Sequence, residues 1–316
     1  MFSIQEIKLG NFKAIRLVNE NTQEYIEILT DFGAGINDLV VRNSEGNMAS
    51  VIDGYRSENE IIHDHHTAYK GCKLSPYPNR IPDGKYEFEG KSYQLGINDL
   101  PTNNSLHALL HNRPFEIVGQ SANEAGAMLK LRYVYKGTDL GYPFPYELLL
   151  TYTMDGSGVK FHTQIQNTGS ETLPLGDGWH PYFQFEDLDQ IDLEMGPAKR
   201  LSSNVGNTLS NEHGFEEESS LAGKALDDCF EVHENGEYQV FLRDQKQGIE
   251  IEICQESEVG RYKYFQIYTP PSRKSIAVEP VTCPPNAFNT GHGLIKLEPK
   301  QEVSMTFGIK YKLLNN

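Results

Sequence analysis

Short runs of alternating apolar and polar residues, separated by turn residues, recur along almost the whole chain. Between Gly84 and Leu95 the alternation continues on both sides of a Glu-Gly-Lys turn, which predicts a β-hairpin. With 17 Tyr, 15 Phe and 28 Gly but one Trp, the chain has the composition of a sheet protein with many turns. The pattern therefore predicts an all-β protein. Further strands are predicted over residues 13–19, 24–29, 38–42, 128–135, 146–153, 159–167, 238–253, 261–269, 276–280 and 302–311.

Length and charge limit what such a chain can bind. The 316 residues contain no long proline-rich or charged linker, so we expect a single domain over residues 1–316. Lys and Arg total 28 against 44 Asp and Glu, a net charge of -16. A surface of this charge repels nucleic acid. A neutral small molecule is the expected partner.

The cysteines and the N-terminal residues predict the cellular compartment. Four widely spaced cysteines form no Cys-x-x-Cys pair, namely Cys72, Cys229, Cys254 and Cys283, which is typical of free thiols in a reducing compartment. The N-terminal residues do not resemble a signal peptide, and no apolar run reaches 18 residues. We therefore expect a cytoplasmic protein that binds no membrane and is a monomer or a homodimer.

A single carboxylate, Glu279, interrupts the apolar run Ser-Ile-Ala-Val-Glu-Pro-Val. Pro280 then ends the regular strand pattern, so Glu279 is predicted at the end of a buried strand. Burial raises the pKa of a carboxyl group, which suits a general base near neutral pH. A structural, salt-bridged Glu at a strand end is the alternative interpretation.

His180 lies in an aromatic stretch with Trp179, Tyr182 and Phe183 around it. Partial desolvation there would keep the pKa of the imidazole near the working pH and make His180 a candidate proton donor. Gly176 and Gly178 precede it and are expected to adopt unusual backbone conformations. A histidine satisfied within an aromatic core strand is an equally good interpretation.

Three loops carry further candidates. Asn79 and Arg80 precede the 84–95 hairpin, and the planar guanidinium group of Arg80 suits vicinal hydroxyls or a carboxylate, although a solvated surface Arg is the commoner case. His107 ends a polar loop. Of the adjacent acids Asp227 and Asp228, one is expected to face a pocket and the other solvent.

A histidine cluster, His63, His65 and His66, lies in a segment that the pattern leaves open between a short helix and a loop. In a strand only His63 and His65 would share a face, and no third ligand has a diagnostic spacing. We therefore expect no metal site there.

With these residues placed, the chain resembles the aldose 1-epimerases, or mutarotases. The resemblance rests on motifs that occur in the family's order. They are Asn79-Arg80-Ile81, Ser105-Leu106-His107, His180-x-Tyr182-Phe183, Asp227-x-x-Phe230, Glu279 followed by Pro285 and Asn286, and the tail Leu297-Glu-Pro-Lys. It implies a large antiparallel β-supersandwich of the galactose mutarotase-like type, with a sugar bound in a cleft.

The resemblance also implies roles and a reaction without a cofactor or a metal. Glu279 would take the proton from the anomeric hydroxyl, and His180 would protonate the ring oxygen. His107 would assist at the ring oxygen by hydrogen bonding. Arg80, Asp227 and Asn79 would hold sugar hydroxyls. The implied function is the interconversion of the α and β anomers of a hexose.

Several residues depart from the family's pattern and predict an altered pocket wall: Pro76, Ala108, Leu109, Trp179 and Pro181. The identity of the sugar is therefore left open. One alternative is a hexose-6-phosphate epimerase, which would need at least two basic side chains at the cleft rim. Another is a carbohydrate-binding protein without catalysis on the same fold. A polysaccharide lyase or hydrolase ranks lowest, because no second carboxylate lies near Glu279 in the sequence.

Overall fold

The computed structural model describes residues 1–107, 109–201, 219–232, 236–258 and 260–314. Strands account for about 54% of the chain and helices for about 6%. All the recorded strand pairs of the described residues are antiparallel, as in the 84–95 hairpin, where Lys85 pairs with Gln94. The prediction of an all-β, antiparallel protein is therefore confirmed.

The elements are numbered in chain order. The first strands are β1 (Phe2–Leu9), β2 (Phe12–Asn19), β3 (Tyr25–Leu29), β4 (Gly35–Arg42), β5 (Met48–Ser50), β6 (Lys73–Leu74), β7 (Arg80–Pro82), β8 (Lys85–Phe88), β9 (Lys91–Gln94), β10 (Asn104–Leu106), β11 (Glu116–Ala122), β12 (Gly126–Tyr135), β13 (Tyr146–Asp155) and β14 (Gly158–Asn167). The later strands are β15 (Leu173–Leu175), β16 (Gly178–Trp179), β17 (Tyr182–Gln184), β18 (Ile191–Met195), β19 (Ala198–Leu201), β20 (Ser219–Ser220), β21 (Asp227–Val232), β22 (Glu237–Asp244), β23 (Ile249–Glu256), β24 (Tyr264–Tyr268), β25 (Ser275–Val281), β26 (Ile295–Leu297) and β27 (Glu302–Leu313). The helices are α1 (Glu58–Ala68) and α2 (Ala287–Thr290), with a 3-10 turn at Leu188–Gln190.

Three large sheets contain most of these strands. Strands β1 to β5 form a five-stranded sheet in sequence order. A nine-stranded sheet has the order β11-β12-β13-β14-β27-β23-β22-β18-β20. The third sheet has the order β19-β21-β24-β25-β16-β6, with β17 also paired to β25. Strands β14 and β27 are hydrogen-bonded neighbours although they are far apart in sequence, so the C-terminal strand lies inside the nine-stranded sheet.

One continuous apolar cluster joins the three sheets. It includes Leu17 of β2, Leu150 of β13 and Phe265 of β24, none of them more than 1% exposed. Along β13 every second residue is buried, as expected for a strand with one face on a core. Each such buried side chain contributes roughly 1.5–3 kcal/mol relative to an exposed one.

In the third sheet, the strand period of two separates a core face from a second face. Phe265 and Ile267 of β24 belong to the core cluster. Gln266 lies between them and therefore points to the opposite side, directly across from Glu279 of β25. Asp227 of β21 pairs with Tyr268 of β24, so it shares this second face. The opposite face thus collects polar residues from three neighbouring strands.

The histidine segment forms helix α1, which settles the choice between helix and loop. The hydroxyl of Ser57 accepts a hydrogen bond from the Glu60 amide at the N-terminal cap. The geometry expected for a strand is wrong here, because residues three apart share a face in a helix, as His63 and His66 do. His65 instead packs its ring against Phe32. Within the described residues, no helix is long and apolar enough to cross a membrane.

Candidate active site

The polar face of the third sheet opens into a cleft of about 470 Å³, a typical size for a small-molecule site. All six residues selected from the sequence line it, namely Asn79, Arg80, His107, His180, Asp227 and Glu279. The other described lining residues are His66, Thr67, Ala68, Tyr69, Asn98, Asp99, Leu100, Pro101, Leu106, Tyr182, Gln266 and Tyr268. Residues spread over 200 positions of sequence thus meet at one site.

Glu279 is almost completely buried at the base of the cleft. The residue is 2% exposed, and every residue of its strand β25 is buried. The strand continues through Pro280 to Val281 and so ends later than the sequence pattern predicted. Burial raises the pKa of its carboxyl group well above the usual value, and the Asp227 carboxylate raises it further, while the Arg80 guanidinium lowers it. At 3.4 Å, His180 Nε2 lies within ion-pair distance of Glu279 Oε1. The ion pair recorded for Glu279 is with His180; among the described residues none is recorded with a Lys or Arg, as the structural alternative would require.

His180 follows β16 and is held by its backbone between neighbouring segments. Its amide donates to the Cys72 carbonyl at 3.2 Å, and its own carbonyl accepts from the Gly71 amide at 2.9 Å. Tyr182 stacks on its ring at 4.7 Å. Burial lowers the pKa of the imidazole to about 3. The expectation of a pKa near the working pH is therefore wrong, because desolvation of His180 is nearly complete rather than partial.

The opposite pKa shifts of Glu279 and His180 define the protonation of the pair. Because the carboxyl pKa is raised and the imidazole pKa is lowered, Glu279 is the first of the two groups to bind a proton as the pH falls. His180 binds a second proton only at low pH. Over the range between the two pKa values, the pair therefore holds one proton. A carboxyl with a neutral imidazole and a carboxylate with an imidazolium are two forms of that same state. The pair has the composition of one acid and one base.

The two glycines before His180 serve close packing rather than unusual backbone. Neither Gly176 nor Gly178 has a positive φ, so the expectation from sequence is wrong. A Cβ at Gly178 would lie 2.7 Å from Val281 Cγ1, and one at Gly176 would lie 2.6 Å from Cys283 Sγ. Glycine is needed because the segment that leads to His180 runs against the strand that carries Glu279 and the turn beyond it.

His107 is held in one tautomer by Asn79. The Asn79 amide donates to His107 Nδ1 at 3.1 Å, and the His107 amide donates to the Asn79 carbonyl at 3.1 Å. Because Nδ1 accepts, Nε2 carries the hydrogen of the neutral ring. Burial is the main cause that lowers the pKa of His107 well below its usual value, and the electrostatic effects of His180 and Arg80 lower it further. His107 is therefore a neutral hydrogen-bond donor, with its ring 5.1 Å from that of His180.

Arg80 is anchored at one nitrogen. Its Nε donates to Asp99 Oδ2 at 3.0 Å, and Thr102 donates to the same carboxylate oxygen. The side chain is 31% exposed, which differs from the solvated surface Arg that is the commoner case. No hydrogen bond of its Nη1 or Nη2 atoms is recorded among the described residues, so these two nitrogens can serve a ligand.

Asp227 and Gln266 form a polar pair on the cleft wall. Gln266 Nε2 donates to Asp227 Oδ1 at 2.9 Å. The other amide atom, Gln266 Oε1, is buried and has no hydrogen-bond partner in the described part of the chain. Asp228 does not face solvent as expected, because it is 5% exposed and Arg200 binds both of its oxygens. Of the two adjacent acids, Asp227 is the one that lines the cleft. Its carboxylate acts on that of Glu279, so the ground for ranking a lyase or hydrolase lowest, the lack of a second carboxylate near Glu279 in the sequence, does not hold in the folded protein.

Sequence reasoning missed Gln266 and the walls formed by Tyr268 and the end of α1. Gln266 carried a usable signal, since it is the one amide in the aromatic run Tyr-Phe-Gln-Ile-Tyr, as Glu279 is the one acid in its apolar run. The altered pocket wall predicted from Trp179 is wrong. Trp179 is 1% exposed in the core and donates from Nε1 to Tyr262. Pro76, Leu109 and Pro181 are likewise absent from the described lining, and Ala108 lies outside the described residues.

Comparison with known proteins gives this cleft a context. The family model for aldose 1-epimerase matches residues 15–310. The chain belongs to the aldose 1-epimerase family. An uncharacterized protein of Escherichia coli K12, YihR, is 28% identical over 255 residues, which cover 77% of this chain and 79% of YihR. Pig galactose mutarotase is 29% identical over 164 residues, 52% of this chain and 45% of the mutarotase.

Solved structures agree on the fold. A galactose mutarotase-like protein of Clostridium acetobutylicum superimposes with a TM-score of 0.79 at 18% identity, over 99% of both chains. An aldose epimerase homologue from Caenorhabditis elegans gives 0.77 at 19% identity, over 100% of both. At these identities the likeness concerns the fold, which is the galactose mutarotase-like supersandwich that the sequence motifs implied.

Proposed function

We propose that the chain is an aldose 1-epimerase that interconverts the α and β anomers of an unphosphorylated hexose. The observation that carries the proposal is the buried pair of Glu279 and His180, 3.4 Å apart at the base of the cleft. The family supports an epimerase, and the pair supplies the one acid and one base that mutarotation requires.

In the proposed reaction, Glu279 removes the proton from the anomeric hydroxyl while His180 delivers a proton to the ring oxygen. The bond between C1 and the ring oxygen breaks, its electron pair stays on that oxygen, and C1 becomes an aldehyde. Rotation about the C1–C2 bond presents the other face, and the same steps in reverse close the ring. After ring opening the proton resides on Glu279 and His180 is neutral, which is the form that burial of the pair favours.

Hydroxyl recognition is assigned to the cleft walls. The Nη1 and Nη2 atoms of Arg80 donate, while the carboxylate of Asp227, oriented by Gln266, accepts. His107 donates from Nε2 to the ring oxygen, with Asn79 fixing its orientation.

The charge of the cleft favours a sugar without a phosphate group. Among the described lining residues, Arg80 is the one Lys or Arg, and Asp99 already binds it. Asp227 and Glu279 add acidic groups. The two basic side chains that a hexose 6-phosphate would need at the rim are not found in the described lining, so the phosphorylated alternative is disfavoured.

The direct test measures anomer exchange. Freshly dissolved α-glucose and α-galactose should reach equilibrium faster with the protein than in the protein-free buffer, followed by polarimetry and by NMR exchange at equilibrium. Glucose 6-phosphate should show no comparable acceleration. Calorimetric binding of a hexose without any acceleration would instead support the carbohydrate-binding alternative and contradict the proposal.

Replacement of Asp227 and of Arg80 should move the pH dependence of kcat/KM in opposite directions. Loss of activity at alkaline pH follows removal of the last proton from the pair, at the raised pKa of Glu279. Asp227→Asn removes a charge that raises this pKa, so the alkaline limb should move to lower pH. Arg80→Met removes a charge that lowers it, so the limb should move to higher pH. The measurement is kcat/KM from pH 5 to 10.

Asp228→Asn is the matched control for Asp227→Asn, because it neutralises the adjacent acid, which does not line the cleft. Its alkaline limb should coincide with that of the unaltered chain. Equal displacement of the limb by Asp227→Asn and Arg80→Met in one direction would contradict the assignment of the limb to Glu279.

A further inference from the structure

A second buried ion pair, between Lys73 and Asp177, lies outside the residues that line the cleft. Both side chains are 0% exposed. Lys73 Nζ donates to Asp177 Oδ1 and, at 3.1 Å, to the Gly178 carbonyl. The ammonium also lies 4.6 Å from the centre of the Trp179 ring, a favourable cation–π position.

Stability alone is a poor reason for such a pair. Taking two charges out of water costs several kcal/mol per ion, and well-packed apolar residues often stabilise a fold as much or more. Burial lowers the pKa of Lys73 to about 8 and raises that of Asp177 to about 6, in each case against the opposing effect of the partner's charge. Burial of the two charges therefore costs folding free energy, which suggests that the pair is kept for a role other than stability.

The position of the pair suggests that role. Asp177 stands three residues before His180, and Thr282 stands three residues after Glu279. The Asp177 amide donates to Thr282 Oγ1, and the Thr282 amide donates to the Asp177 carbonyl, both at 2.9 Å. Asp177 thus ties the segment that carries His180 to the strand that carries Glu279.

Lys73 adds the third segment. It belongs to β6, which pairs with β16 through Trp179, and the preceding Cys72 carbonyl accepts the amide hydrogen of His180. Tyr262 completes the network, since its hydroxyl donates to Asp177 Oδ1 at 3.2 Å and accepts from Trp179 Nε1 at 3.1 Å. The ion pair therefore holds the Asp177 segment against β6, while the backbone of Asp177 links that segment to Thr282, the residue that follows β25.

We propose that Lys73 and Asp177 are positioning residues that fix the separation of His180 and Glu279. This rests on the proposed function for its catalytic consequence but not for its structural one. A reacting group displaced by about 1 Å can lose about 10²-fold in rate. The ion pair acts on kcat, because neither partner is placed to touch the sugar.

The test compares two double variants. Lys73→Met with Asp177→Leu replaces the pair by apolar groups of similar size, whereas Lys73→Gln with Asp177→Asn keeps a neutral hydrogen bond. The apolar variant should keep a Tm near that of the unaltered chain, lose about 10²-fold in kcat and change KM less than about twofold. The hydrogen-bonded variant should recover part of the lost kcat. Arg132→Met with Glu147→Leu, a half-buried pair on the nine-stranded sheet and outside the cleft lining, is the control and should change neither constant.

A second measurement is independent of turnover. The His180 imidazole, assigned in NMR spectra by comparison with His180→Ala, should titrate at higher pH in the apolar variant, because a loosened segment admits water to the ring. An unchanged His180 titration, or an unchanged kcat in an active protein, overturns the positioning role. If the unaltered chain accelerates no anomer exchange but the titration moves, the proposed function is wrong and the positioning role stands.

Discussion

Glu279→Gln should lower kcat for anomer exchange by about 10²- to 10⁴-fold, the usual contribution of a positioned general base. The amide keeps the shape of the carboxyl group but cannot accept the proton of the anomeric hydroxyl. The KM should change little, because the residue is buried at the base of the cleft and the hydroxyl-holding groups remain. Polarimetry and NMR exchange, each corrected for the protein-free rate, measure the loss. A variant with undiminished kcat would remove Glu279 from the mechanism.

Stability distinguishes this loss from unfolding. The carboxyl pKa of Glu279 is about 4.5 in a free chain and raised by burial in the fold. Its contribution to stability is therefore present below about pH 4.5 and is lost as pH rises through the folded pKa. Since Gln does not titrate, Glu279→Gln should melt at the same or a higher temperature than the unaltered chain at pH 8. Glu231→Gln, on β21 of the same sheet and outside the cleft lining, is the matched activity control.

The strands were predictable because their signals are local. Alternation and turn residues within about ten positions determine hairpins such as Lys85–Gln94, and β13 and β14 begin within a residue of the predicted positions. Glu279 was recognisable because a lone acid in an apolar strand requires a chemical reason. The choice of Asp227 over Asp228 came from the resemblance, and it agrees with the strand period, which places Asp227 on the cleft face.

The remainder depends on strand order, which no local pattern contains. Lys73 and Asp177 are 104 positions apart, and each alone reads as an ordinary charged residue. The burial of His180 was underestimated for the same reason, since the residues that cover it come from distant segments, around Cys72, His107 and Glu279. The packing role of Gly178 was not predictable either, because the strand that leaves no space for a Cβ there lies about a hundred residues further along the chain.

His107 and His180 both line the cleft, but their replacement should lower kcat by different factors, and added imidazole should reverse only the loss at His180. His180→Ala should lose about 10²- to 10⁴-fold in kcat, because it removes the acid that protonates the ring oxygen. No other described group is recorded at ion-pair distance from Glu279 to replace it. His107→Asn should lose only about 3- to 10-fold, the value of a single hydrogen bond, since its tautomer is fixed by Asn79 and its ring stays neutral.

Chemical rescue separates proton delivery from packing at His180. Free imidazole fits the space left by His180→Ala and can carry a proton to the ring oxygen, so it should restore part of kcat in proportion to its concentration, after the protein-free reaction with imidazole is subtracted. It should restore nothing in Glu279→Gln, where the missing group is the base and the imidazole site is still filled. Equal losses in His180→Ala and His107→Asn, with rescue of neither, would mean that the ring oxygen takes its proton from water. Glu279 would then act without a partner, and the buried pair would hold its proton for a structural reason alone.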